Sequence, residues 1–193
     1  MSKCSKLIGI VASIVLVAGM AFADVTSDIA TAKVLYVNKD YAEAQAAFEK
    51  VIKDYPTATV NILANAQSFV GYSLRSQGKH VEAQVAFEKV IKDYPTASVG
   101  ILANAQRCAG YSLRSQGKHA EATEAYVKAV ILYVRVPNVV SKTLIDTFSL
   151  INPALMTTAD YTVALQDIIK ATPATEANAE FLGRIKSELE KMK

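Results

Sequence analysis

Apolar residues recur at helical spacing in blocks along this chain, and the blocks are copies of one another. Ile62, Leu63, Ala66, Phe69, Val70, Ser73 and Leu74 fall three and four residues apart, which puts them on one stripe of an α-helix. Gln77-Gly78-Lys79 breaks the stripe, and Gly78 suits the left-handed conformation that ends a helix. A second stripe, Ala83, Ala86, Phe87, Val90 and Ile91, predicts another helix from about Val81 to Asp93. Glu88 and Lys92 sit four apart in the favourable order on its solvated side. Tyr94-Pro95-Thr96 closes the unit, because a residue that precedes proline is pushed out of the helical region.

This two-helix unit is written three times with a period of 39 residues. Ala44 to Thr57 returns as Ala83 to Thr96 and fades into Ala122 to Val130. Ile62 to His80 and Ile101 to His119 differ only at Ser68/Arg107, Phe69/Cys108 and Val70/Ala109. A fixed period in this range predicts a stack of supersecondary units, each burying its apolar face on its neighbours. Small residues at Gly71, Ala83 and Ala86 let the helices approach closely, and Phe87 fills the space that remains. Past residue 135 the pattern decays. Val139 to Leu150 predicts a short first helix that ends near Asn152-Pro153. Asp160-Tyr161-Thr162-Val163-Ala164 echoes Asp40-Tyr41-Ala42-Glu43-Ala44, which makes Tyr161 to Ala171 its partner. Lys170-Ala171-Thr172-Pro173 aligns instead with Lys92-Asp93-Tyr94-Pro95 at twice the period, so two registers stand. From Pro173 to Met192, Phe181, Leu182, Ile185, Leu189 and Met192 share a face, as the closing helix of a repeat stack requires. The expected order is a leader at 1–23, three repeats at 26–134, a degenerate fourth at 135–172 and a capping helix at 173–193.

The leader follows from the first residues. Lys3 and Lys6 precede an uncharged run from Leu7 to Ala23 that closes on Ala21-Phe22-Ala23 before Asp24. That is the layout of a secretory signal peptide. An uncleaved anchor is the rival reading, but the run of 17 residues is short of the roughly 20 that cross a bilayer. The expectation is an exported chain, periplasmic or secreted, in contact with membrane only if the leader is retained. Cleavage would reduce the 21 basic and 18 acidic residues to 19 and 18, a charge of +1. Such a chain lacks the basic stripe that nucleic acid demands. Only Cys108 would remain, so no internal disulfide can form. Standing where the sister copy has Phe69, it reads as a small buried residue, with an intermolecular bridge as the sharper alternative.

Candidate chemistry is sparse. His80 and His119 occupy one register in successive units, too far apart to share a metal, and no Cys, Asp or Glu cluster accompanies them. Packing at the turn explains them. The sequence has no phosphate loop, nucleophile elbow or spaced carboxylate pair. Neither an enzyme, nor a cofactor, nor a metal site is expected.

The unit resembles the tetratricopeptide repeat in its small residue in the first helix, its alanine, three residues and aromatic in the second, and its closing proline. Gly71, Leu74, Ala83, Phe87 and Pro95 fall on those positions; so do Gly110, Leu113, Ala122 and Tyr126, with Val134 replacing the proline. The first unit supplies Ala32, Leu35, Ala44, Phe48 and Pro56. Gln67 and Gln106 stand where the family usually has tryptophan, and the period exceeds the family's 34 residues. The longer unit is similar to repeat modules of bacterial envelope proteins. The resemblance implies an all-α, right-handed α-solenoid whose first helices line a concave, partner-binding groove. The positions that resemble this lining are Lys33 and Tyr36, then Asn65, Ser68, Tyr72 and Arg75, then Asn104, Arg107, Tyr111 and Arg114. Tyrosine and arginine are favoured in binding hot spots, and the set contains no acid, so an acidic or aromatic-rich protein segment is the expected ligand. Self-assembly of the stack and recognition of cell-wall glycan are the alternatives.

Overall fold

The computed structural model describes residues 25–136 and 141–192, all helix and turn. The proposed leader and the start of the expected helix at Val139 lie outside those residues. Helix α1 covers residues 25–37. It is followed by α2 (Tyr41–Asp54), α3 (Val60–Ser76), α4 (His80–Asp93), α5 (Val99–Ser115), α6 (His119–Tyr133), α7 (Ser141–Phe148), α8 (Thr158–Ala171) and α9 (Ala179–Glu190). No helix among the described residues is long and apolar enough to cross a membrane.

Three helix pairs, α1/α2, α3/α4 and α5/α6, repeat one construction. The turn inside each pair places a left-handed residue at the same register: Lys39 at φ 70°, Gly78 at 79° and Gly117 at 80°. Glycine takes this conformation without the steric cost that Lys39 bears. One large ring per pair, Phe48, Phe87 or Tyr126, is buried almost completely. In the second and third pairs its seat is made by the glycine of the first helix. A β-carbon on Gly71 would stand 2.7 Å from Phe87 Cε1, and one on Gly110 2.5 Å from Tyr126 Cε1. Both are far inside the ordinary carbon–carbon contact of about 3.5–4.0 Å.

Successive units are also clipped together. The Gln77 amide nitrogen, just past α3, donates to the Tyr41 carbonyl at 3.3 Å and to Gln45 Oε1 at 3.0 Å. One period on, Gln116 donates to the His80 carbonyl at 3.2 Å and to Gln84 Oε1 at 2.9 Å. Besides these consecutive contacts, α3 packs on α5, whereas no comparable contact joins α2 to α4 or α4 to α6. The first helices therefore lie on the inner side of the bend.

The C-terminal part departs from the hairpin geometry expected of a fourth repeat. Among the described residues α7 and α8 each pack on α6, and α9 packs on both, but α7 and α8 share no comparable interface. Among the described residues α7 has 8 residues, where α3 and α5 have 17. Helix α8 begins a turn before the echoed Tyr161, capped by Thr157, whose hydroxyl accepts from the Asp160 N–H at 3.1 Å. Phe181 and Ile185 of α9 are fully buried, and Phe181 meets Phe148 edge-on at 5.8 Å, so this helix covers the end of the core. On the outer surface, the expected Glu88–Lys92 pair is replaced. Glu88 accepts from Gln84 at 2.8 Å, and Lys89 instead pairs with Asp93 at 2.5 Å. Exposed pairs of this kind contribute little, which is why one partner substitutes readily for another.

Candidate functional site

The inner side of α1, α3 and α5 carries two groups of rings that pack on rings of α2, α4 and α6, with Arg75 between the groups. Tyr36 meets Tyr41 at 5.4 Å and Phe69 at 5.7 Å; Phe69 stacks on Phe48 at 4.7 Å and meets Tyr72 at 5.5 Å. Tyr72 in turn lies edge-on to Phe87 at 5.3 Å, and Tyr111 to Tyr126 at 5.6 Å. Cations lie over these rings. Lys33 sits 5.6 Å from the centre of Phe69, and Arg75 lies between Tyr72 and Tyr111 at 5.7 and 5.8 Å. Arg107 is 5.8 Å from both Tyr111 and Tyr133, and Arg114 is 5.7 Å from Tyr111. Contacts of this type stabilise by about 0.5–1 kcal/mol where exposed.

Asn104 organises the centre. Its amide nitrogen donates to the Tyr72 hydroxyl, and its Oδ1 accepts from Arg107 at 2.8 Å and from the Tyr133 hydroxyl at 3.4 Å. The Cys108 thiol lies 3.8 Å from the same oxygen. Burial pushes this thiol's pKa up, with Arg75 and Arg107 opposing the shift, so it is no ready nucleophile at neutral pH. Burial likewise raises the phenols of Tyr72 and Tyr133, which stay neutral and able to donate. The expectation that Cys108 is a small buried residue matches its place in the core.

Of the residues singled out in the sequence, Lys33, Tyr36, Tyr72, Arg75, Asn104, Arg107, Tyr111 and Arg114 come together on this face. Ser68 does not: it is buried, and its hydroxyl donates to the Ala64 carbonyl at 2.8 Å. Asn65 is exposed and joins no hydrogen bond among the described residues. Two contributors were missed. Phe69 is a half-buried ring next to Ser68, and the helical stripe had assigned it to the core. Tyr133 reaches in from the end of α6, where the Tyr55/Tyr94/Tyr133 periodicity was the available signal. His80 and His119 begin α4 and α6, and among the described residues no group of three potential metal ligands forms.

A family model for the tetratricopeptide repeat matches residues 30–58 and 70–97. Residues 30–58 and 70–97 are tetratricopeptide repeats. The two matched spans take in most of α1/α2 and α3/α4, and leave out the first ten residues of α3, the part that lengthens this unit. No curated protein matches the chain. Tetratricopeptide repeats generally mediate protein–protein interactions, and the proteins that carry them are typically non-catalytic scaffolds.

Proposed function

We propose that this chain is an exported scaffold of the bacterial cell envelope that binds a segment of a partner protein along the inner face of α1, α3 and α5, without catalysis of its own. One observation carries the reading. Lys33, Arg75, Arg107 and Arg114 lie over half-buried rings on one face, and none forms an ion pair among the described residues. Cations left without counter-ions beside rigid aromatic surface suit a ligand that supplies the missing charge. Export is supported by the basic start, the uncharged run and Ala21-Phe22-Ala23. The test is capture from envelope extract of the producing organism by the wild-type protein and by Arg75→Ala/Arg114→Ala. The account expects a partner that the double variant loses while its helical circular dichroism is unchanged. Equal capture by both proteins would move the interface off this face.

Self-association is favoured by a different observation. Val34 of α1 is 58% exposed, although Ser73 and Ser112, its counterparts one and two periods on, are completely buried. The outer edge of α1 is thus an exposed surface whose counterparts in the later units are covered. Sedimentation across a concentration series decides: a strict monomer at every concentration removes this reading.

A further inference from the structure

The two near-identical first helices differ where they meet the inner face, and the difference gives that face two unlike halves. Phe69 in α3 becomes Cys108 in α5, and Ser68 becomes Arg107. At the first junction the Phe69 ring anchors an aromatic half with Phe48, Tyr36 and Tyr72; among the described residues Lys33 is the one cation over Phe69, and Arg75 reaches Tyr72 from the boundary between the halves. At the second junction the ring is gone: Cys108 is buried, and Arg107 joins the surface. The guanidinium carbons of Arg75, Arg107 and Arg114 then all lie within 5.8 Å of the centre of the Tyr111 ring.

Three cations thus share one ring, so an anionic group seated at Tyr111 meets more than one of them. No acidic side chain among the described residues pairs with them. Arg107 is held in place by its bond to Asn104, which the Tyr72 and Tyr133 hydroxyls fix in turn. An arrangement of unpaired guanidinium forks, with Arg107 fixed among them, favours carboxylates that arrive as a cluster. The aromatic half offers them nothing comparable and favours apolar or aromatic side chains.

From this we infer that the ligand is a two-part protein segment: clustered carboxylates at one end, seated around Tyr111, and aromatic or apolar side chains at the other, seated around Phe69. The inference rests on the partner-binding reading and adds the ligand's chemistry and polarity. Single-stranded nucleic acid also uses rings and cations, so it forms one arm of the test.

The experiment uses fluorescence anisotropy with the protein purified from cells that express the full chain. The probes are a labelled peptide of four glutamates followed by Gly-Phe-Leu-Phe, the same composition in alternating order, and an eight-residue oligothymidylate. The blocked peptide should bind at least about tenfold more tightly than the other two, a gap of about 1.4 kcal/mol. The gap should close in Arg107→Gln and in high salt. In Arg107→Ser/Cys108→Phe, which gives α5 the residues of α3, the salt dependence should fall as well. Equal affinity for blocked and alternating peptides, tighter binding of the oligothymidylate, or indifference to Arg107→Gln would each overturn the two-part ligand. Failure of every probe beside a partner that Arg75→Ala/Arg114→Ala fails to capture would overturn it too, while the partner-binding reading survived.

Discussion

Substituting alanine for Gly71 and for Gly183 should shift stability in opposite directions. Both glycines lie inside helices, where alanine is intrinsically better by about 1 kcal/mol. At Gly183 in α9 an added β-carbon meets nothing within 4 Å, so that gain should appear almost whole. At Gly71 the same atom would stand 2.7 Å from Phe87 Cε1 and 2.9 Å from its Cδ1 and Cζ. The ring is completely buried and pressed by Tyr72 at 5.3 Å, so it cannot retreat without moving α4. Overpacking of this kind costs about 1–3 kcal/mol, which outweighs the propensity gain at most of that range. The net expectation is a loss of up to about 2 kcal/mol for Gly71→Ala, against a gain of about 0.5–1 kcal/mol for Gly183→Ala. Urea unfolding followed by circular dichroism at 222 nm measures both, with an unchanged slope confirming that the transition is the same one. A double-mutant cycle locates the cause. In the Phe87→Leu background Gly71→Ala should cost nothing or stabilise, giving a coupling of about 1–2 kcal/mol. If Gly71→Ala stabilises the wild type as Gly183→Ala does, Phe87 is not seated on Gly71 and the account of how each unit closes is wrong.

Lys39 occupies the left-handed position that Gly78 and Gly117 fill in later units, so Lys39→Gly should raise stability by about 0.5–1 kcal/mol in the same unfolding assay, and a loss would contradict the turn geometry. The Tyr126 hydroxyl is buried without a partner among the described residues, so Tyr126→Phe should stabilise by about 1 kcal/mol, and a clear loss would mean that the hydroxyl is bonded. Alkaline pH should unfold the protein through its tyrosines. Burial pushes the Tyr126 pKa up to about 12 and raises those of Tyr72 and Tyr133. An unfolded tyrosine ionises near pH 10, so above that pH the unfolded chain gives up protons that the native state keeps. This contribution to stability is complete below about pH 10 and is lost as pH rises towards 12. Tyrosinate absorbance at 295 nm should therefore rise for these residues only together with loss of the helical signal; full titration of a still-folded protein would refute their burial.

Much of the fold was legible because the repeat is written into the residues that build it. Gly71, Ala83, Phe87 and the Gly78 turn recur at one spacing, and each performs the same packing or turning task in its own unit. The parts that were not legible depend on finer angles or on lengths. Ser68 and Phe69 are neighbours on α3, about 100° apart around the axis, and the apolar stripe could not say which one reaches the inner surface. Gln77 reads as part of a pattern-breaking turn, while the clipping of successive units by Gln77 and Gln116 depends on carbonyls 36 residues earlier. The echo at Tyr161 predicts a partner for the preceding helix, whereas among the described residues α8 packs chiefly on α6 and α9, which depends on contacts distant in sequence. Eight of the ten candidate face residues converge because period and helix register together put them on one side, whereas Tyr133 arrives from the second helix of its pair.

The central claim is that the inner face meets a protein partner in the cell, and site-specific photo-crosslinking tests it most directly. Tyr36, an aromatic residue on that face, would be replaced by p-benzoylphenylalanine, and in a companion protein exposed Glu88 on α4 would be replaced in the same way. After irradiation of living cells, the account predicts a discrete adduct from the Tyr36 position and none of the same mass from the Glu88 position. The same adduct from the outer position, with the inner one silent, would contradict it.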